Sequence, residues 1–303
     1  MKFRSFVAVF ALMGFTCGVL LVRAQDEDEG VRGAFLSSRP KTTSTTSTTA
    51  THRHRPPRRT SGSSASAANA NNGKTQGVVV NQGNKNTGSV NVPLQAIGLG
   101  YTLFMRSPSG RSVRVEPDRE FHNGDGVRIA LEPNVDGYLY VFHTEGDGAP
   151  EMIYPDPRLD GGENWIEAHV PMEVPSSEES DERLRWFTFY GNAGVERLYV
   201  VMTREPLSSV PTGEDLVSFC AANKDKCPWH PSPDAWKQVQ QATRADVKMV
   251  ASKSFGQTQT EKEKVATTRG LGLDQSAPEP SVIRMNASTN APLLVTILDL
   301  IHK

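Results

Sequence analysis

The run Val127-Arg128-Ile129-Ala130-Leu131-Glu132, the turn Asn134-Val135-Asp136-Gly137 and the run Tyr138-Leu139-Tyr140-Val141-Phe142 decide the fold. In the first run Val127, Ile129 and Leu131 alternate with Arg128, Ala130 and Glu132. Side chains along a strand alternate between faces, so this pattern predicts one buried and one wetter face. The second run is apolar or aromatic on both faces, as a central strand covered on both sides requires. Upstream, Tyr101 to Arg106, the turn cluster Ser107-Pro108-Ser109-Gly110 and Arg111 to Val115 read as a hairpin. Downstream, Met152 to Tyr154, Trp165 to Val170, Leu184 to Phe189 and Leu198 to Met202 continue the series. Short strands at this spacing, with no helix-length segment between them, predict a mainly β protein: a β-sandwich, immunoglobulin-like or related.

Two helices are expected next. Thr212-Gly213-Glu214-Asp215 has the spacing of a capping box. Ser232-Pro233-Asp234 supplies a hydroxyl cap, a proline at the first position and a carboxylate at the positive end of a second helix. Trp236, Val239, Val247 and Val250 are read as the apolar stripe of that helix, which gives a two-helix insertion over 212–253. Residues 254–280 read as a polar loop. Leu293 to Ile301 is apolar on both faces, so it is expected to insert into a sheet. The helical region then becomes an excursion within one domain, 98–303.

The N-terminal part differs in kind. Lys2 and Arg4 precede the apolar run Phe6 to Val22, and Val22-Arg23-Ala24 suits signal peptidase, so 1–24 reads as an export leader. Cys17 is a small hydrophobe within it. Residues 25–97 are rich in Ser, Thr and Asn, too poor in apolar side chains to offset the entropy of ordering them, and are expected to be a disordered basic stalk. Residues 1–97 carry 12 Lys/Arg against 4 Asp/Glu, and the remainder 21 against 30, so a formal net charge of −1 hides a basic arm and an acidic body. That balance argues against a globally basic nucleic-acid binder. The three cysteines of the 303 residues exclude a disulfide-dense scaffold.

Several motifs bear on chemistry. Ala68 to Thr75 satisfies a relaxed phosphate-loop pattern, but its low-complexity flanks lack the strand and helix that such a loop needs. His52-Arg53-His54 has two imidazoles and no third ligand. Arg32, Arg39, Lys41, Arg53, Arg55, Arg58 and Arg59 lie in a stretch without acidic residues, and could hold a polyanion. Cys220 and Cys227 are expected to form a short-loop disulfide in an oxidising compartment. Asp156, Asp160, Glu163 and Asn164 sit in a Gly-rich acidic loop, with oxygen ligands that would suit calcium but without EF-hand spacing. Neither a Gly-x-Ser-x-Gly elbow nor a His-Glu-x-x-His pair is present. The aromatics Tyr138, Tyr140, Phe142, Trp186, Phe187 and Phe189 fall on expected strands and read as core.

The run Phe121-His122-Asn123-Gly124-Asp125-Gly126-Val127-Arg128-Ile129, followed by Asp136 to Phe142 and Ile153-Tyr154-Pro155-Asp156, resembles domain-of-unknown-function family 4384. Pro171 to Pro175, Gly194 to Leu198 and Leu294 to Ile297 are consistent with that resemblance, which would span about 100–205 plus the last strand. The resemblance implies an exported or envelope-associated bacterial protein, in a family whose domain is often appended to peptidase or kinase modules. Physically, Asn123, Gly124 and Asp125 form a turn motif: glycine permits positive φ, and Asn or Asp bonds the nearby backbone. No catalytic residue, cofactor or metal site is read.

The expected function is that of an exported, non-catalytic accessory module, secreted or periplasmic, that binds an envelope protein or polymer, with no nucleic acid and no membrane span once the leader is removed. The alternatives are a hydrolase drawing on Asp125, Asp156, Asp160 or His143, and polyanion attachment through the basic arm.

Overall fold

The structure is a computed structural model that describes residues 28–41 and 94–303. Helix α1 occupies 28–37. It is followed by β1 (Gly98–Arg106), β2 (Ser112–Val115), β3 (Glu120–Phe121), β4 (Gly126–Pro133), β5 (Gly137–Glu145), β6 (Glu151–Tyr154), β7 (Trp165–Ile166), β8 (Met172–Val174), β9 (Phe187–Thr188) and β10 (Gly194–Thr203). Helices α2 (Glu214–Ala222) and α3 (Pro233–Ala242), strand β11 (Val247–Ala251), helix α4 (Glu261–Arg269), β12 (Val282–Asn286) and β13 (Leu293–His302) complete the chain.

The strands form two sheets. The first runs β11-β12-β1-β4-β8, and the second β3-β13-β10-β5-β6. One edge of β1 is shared: Gly98 to Tyr101 pair with β12, and Leu103 to Arg106 with β2. The second hairpin arm and the central position of β5 are as the sequence predicts. Leu99, Tyr101, Leu103, Val127, Ile129 and Leu131 of the first sheet meet Leu139, Val141, Leu198, Val200, Met202, Leu294 and Leu298 of the second in one core. The period-two alternation of β4 thus does what its sequence requires. β13 lies between β10 and β3, inside its sheet, as its two apolar faces demand.

Both outer faces are covered. Tyr140, Phe142, Tyr199, Val201 and Val295 leave the second sheet on its far side and pack against Leu216 of α2 and Val239 of α3. Trp236 of α3 meets Tyr199 edge-on, with ring centroids 4.7 Å apart. Gly137 opens β5 because a Cβ there would collide with the carbonyl oxygen of Thr203 on β10. On the first sheet, Val31 and Phe35 of α1 pack on Val250, Ile283 and Met285.

The structure corrects several expectations. Residues 28–41 of the expected 25–97 stalk are a docked helix and its exit, because Val31 and Phe35 share one helical face and find an apolar patch. α3 ends at Ala242, and Val247 and Val250 belong to β11, where pairing with β12 replaces the helical stripe, so the 212–253 segment is not all helix. A helix, α4, stands in the expected polar loop. The N-cap of α2 is Gly213 with φ +58°, not Thr212, and no side chain caps it. Ser232 does cap α3, accepting from the Ala235 N–H at 3.3 Å. Trp165 to Val170 and Leu184 to Phe189 shrink to two-residue strands, the latter preceded by a 3-10 turn at Glu182–Arg185. The leader 1–24, the phosphate-loop-like segment, His52 to His54 and Arg53 to Arg59 lie outside the described residues.

Candidate functional site

The two sheets leave one side of the sandwich open. β8 is the last strand of the first sheet and β6 the last of the second, and a cleft of about 760 Å³ lies between them. That volume is in the range of small-molecule and peptide sites. Met152, Ile153 and Tyr154 come from β6, and Met172 and Val174 from β8. Leu184 and Trp186 enter from the segment leading into β9 and Phe187 from its first position, while Cys220 comes from α2 and Lys224, Cys227 and Pro228 from the chain that follows it. The peptide bonds preceding Pro155, Pro175 and Pro228 are cis. Cys220 and Cys227 are disulfide-bonded, which ties the end of α2 to this wall.

Charge is distributed unevenly around the cleft. The lip Ser176-Ser177-Glu178-Glu179-Ser180-Asp181-Glu182 carries four carboxylates in seven residues. Asp181 caps the 3-10 turn, and its bonds to Arg183 hold its pKa at about 2, so it stays ionised. Deeper, Glu173 is buried and held by Arg128 at 3.2 Å and by the Gln259 amide at 2.7 Å. Arg128 in turn stacks on Trp186, 4.1 Å from the ring centroid. Burial pushes the Arg128 guanidinium below its ordinary pKa, and Glu173 opposes that shift.

The residues singled out in the sequence separate. Asp156 lines the cleft, but both its oxygens are engaged by Arg158. Asn164 is turned away, and its amide donates to the Leu139 carbonyl. Asp160 falls in a 3-10 turn at Asp160–Gly162, and Glu163 follows it. Asn123, Gly124 and Asp125 form the expected turn: Gly124 has φ +91°, and the Asp125 carboxylate accepts from the His122 N–H at 3.0 Å. His143 on β5 lies between Glu151 at 3.1 Å and Glu196 at 2.6 Å, on strands β6 and β10. Asp125, His143 and Asp156 thus sit on three separate elements. Among the described residues, no group of three or more His, Cys, Asp or Glu is placed to hold a metal ion, and no helix is long and apolar enough to cross a membrane. Of the expected core aromatics, Tyr140, Phe142 and Phe189 are buried, whereas Tyr138, Trp186 and Phe187 are half-buried.

A second polar constellation was invisible in the sequence. Arg39, just past α1, is 2 % exposed. It donates to both Glu132 oxygens at 2.7 Å and to the carbonyls of Ala277 at 2.9 Å and Pro278 at 3.0 Å. Glu132 also contacts His169 Nδ1 at 2.7 Å, and His169 Nε2 lies 2.8 Å from Ser38 Oγ. This has the connectivity of a nucleophile, base and carboxylate. Its surroundings make it a latch for α1. Arg39 occupies the carboxylate bidentately, and Ser38 Oγ donates to the Phe35 carbonyl at 2.6 Å. The cavity beside Glu132, of about 30 Å³, holds no more than a water or two. His169 has φ +59°, a conformation that a non-glycine residue adopts only when its surroundings enforce it; here its N–H and carbonyl are tied to Pro133 and Leu273. Arg32 pairs with Glu279 at 3.2 Å, so two of the arm's cations are spent on the body.

The fold and cleft define a two-sheet β-sandwich domain with helices on its outer faces. Residues 120–206 match the family model described as Domain of unknown function (DUF4384), as the turn and strand motifs between Phe121 and Asp156 suggested. The matched segment runs from β3 through β10 and includes the β6, β8 and Leu184 to Phe187 walls of the cleft; the wall from α2 lies outside it. No curated protein and no solved structure matches the chain.

Proposed function

We propose that this chain is an exported, non-catalytic binding module, and that the cleft between β6 and β8 takes an extended polypeptide segment of a partner in the cell envelope. The observation that carries this reading is the cleft itself: apolar walls, room for several side chains, and a place beside two sheet-edge strands, of which β6 already has its Met152 N–H bonded to the Trp229 carbonyl at 2.8 Å. Glu178 and Glu179, the lip carboxylates that line the cleft, favour a segment with Lys or Arg beside its apolar residues, while Asp181 and Glu182 pair with Arg183 and Arg185. Export rests on the leader-like residues 1–24; N-terminal sequencing of the envelope-fraction protein is expected to begin at Gln25.

Selection of displayed 12-residue peptides against the full-length protein tests the cleft. Enriched peptides are expected to pair apolar residues with a basic one. Their affinity should fall at least tenfold in Leu184→Asp and in the Glu178→Lys/Glu179→Lys double variant, all exposed or half-buried positions that leave the core intact. Enriched peptides that bind both variants as tightly as the wild type would place the site elsewhere.

A further inference from the structure

The socket that receives Arg39 is built for recognition to a degree that holding one short helix does not require. Val31, Phe35 and Arg39 are spaced by four residues and descend one side of α1 and its exit. Val31 and Phe35 meet the apolar patch of Val250, Ile283 and Met285, and Arg39 meets Glu132 and a ring of carbonyls. Gly100 makes the space, since a Cβ there would press on Pro280 and on the Phe35 ring. An apolar patch alone would accept many helices. A buried ion pair adds little net stability, and its best-attested use is to select one partner and one register. The ten-residue α1, with Gly30 and Gly33 inside it, would be marginal in isolation, so its helix forms on the socket.

Only the 52 residues 42–93 join this segment to the rest of the domain. Fully extended, a chain of that length reaches on the order of 170 Å, far beyond one domain's own socket. We propose that the socket is also a chain-to-chain connector: segment 28–41 of a second copy seats in it, and the partner's Arg39 completes Glu132. The contacts made in trans are those made in cis, so exchange needs no new surface. Being covalently joined still gives the cis arrangement the higher effective concentration in dilute solution, so the exchanged form belongs to crowded conditions. This inference involves α1 and the first sheet, and is independent of the cleft.

A charge-swapped pair of full-length variants tests it. Arg39→Glu and Glu132→Arg each block docking in cis. When they are mixed, the Arg39 arm of the second can still seat on the Glu132 body of the first. Sedimentation equilibrium should show a 1:1 species of doubled mass in the mixture that neither variant forms alone. A fluorescein-labelled peptide of residues 28–41 should bind the Arg39→Glu protein, and the same peptide with Arg39→Ala should bind at least tenfold more weakly. If both variants melt cooperatively and the mixture stays monomeric, the connector role is overturned. Should Glu132→Arg fail to fold, the peptide decides alone: no binding to folded Arg39→Glu protein overturns the proposal.

Discussion

Glu132 serves Arg39 and His169 at once, and all three side chains are almost wholly removed from water. Neutralising one partner of such a pair strands the other charge, at a cost of about 3–5 kcal/mol. Glu132→Gln should therefore lower the urea-unfolding free energy by about that amount, whereas the Arg39→Met/Glu132→Leu double variant should recover part of it, since it removes both charges but leaves His169 Nδ1 and the Ala277 and Pro278 carbonyls without these partners. Equal losses in both would show that the charge is not what the site depends on. Asp274 acts at the rim of the same socket. It accepts from Lys262 Nζ at 2.7 Å and from the N–H and hydroxyl of Ser276, and these bonds, Lys262 first, lower its pKa from 3.8 to about 2. A carboxylate whose folded-state pKa is depressed stabilises the fold above its unfolded value. That contribution is present above about pH 4 and is lost as pH falls toward 2. Asp274→Asn should flatten the acid limb of a melting-temperature profile in that window and leave its slope near neutrality unchanged.

At the scale of elements, α4 shows how a helix can be anchored from its first turn. Thr260 caps it by accepting from the Glu263 N–H, and the Glu263 carboxylate returns to the Thr260 N–H at 2.8 Å. The other Glu263 oxygen holds Arg114 of β2, whose guanidinium burial pushes below its ordinary pKa while Glu263 opposes that shift. Thr260→Ala should cost about 1 kcal/mol, the worth of a cap. Glu263→Gln should cost more, because it also strips a buried arginine of its partner; chemical denaturation of the two variants checks the ranking. The Thr-x-x-Glu spacing was legible at 260–263, but its polar surroundings read as a loop. β4, β5, the β1–β2 hairpin and β13 were legible because their apolar periods match the faces they bury. β11 was not, because Val247 and Val250 fit a helical spacing as well as a strand paired with β12. α1 was hidden by Gly30 and Gly33, and its stability lies in the socket rather than in its own residues. Within the cleft, the disulfide and the Asp156 loop could be named from sequence. The meeting of β6 and β8 could not, since it follows from the order of strands in two sheets.

At the scale of the whole molecule, the sandwich closes only when the end of the chain arrives. β13 separates β3 from β10 and delivers Leu294, Leu298 and Leu300 to the core between the sheets, and Val295 to the layer under α2 and α3. Removing 293–303 would turn β10 into an edge, open both apolar layers and leave β3 without its partner strand. Each lost large aliphatic side chain is worth about 2–5 kcal/mol, and four together exceed the 5–15 kcal/mol of a typical domain's stability at the middle of both ranges. The truncated protein is expected to show no cooperative thermal transition by circular dichroism. The Cys220–Cys227 bridge makes the useful contrast. It spans a sequence separation of seven residues and acts on one wall of the cleft. Its double serine variant should lose about 2–3 kcal/mol through the freed unfolded chain and still melt in a single step. If the truncated protein melted as sharply as that variant, the two sheets would not share one core, and the cleft between their edges would lose the rigid walls on which peptide binding depends.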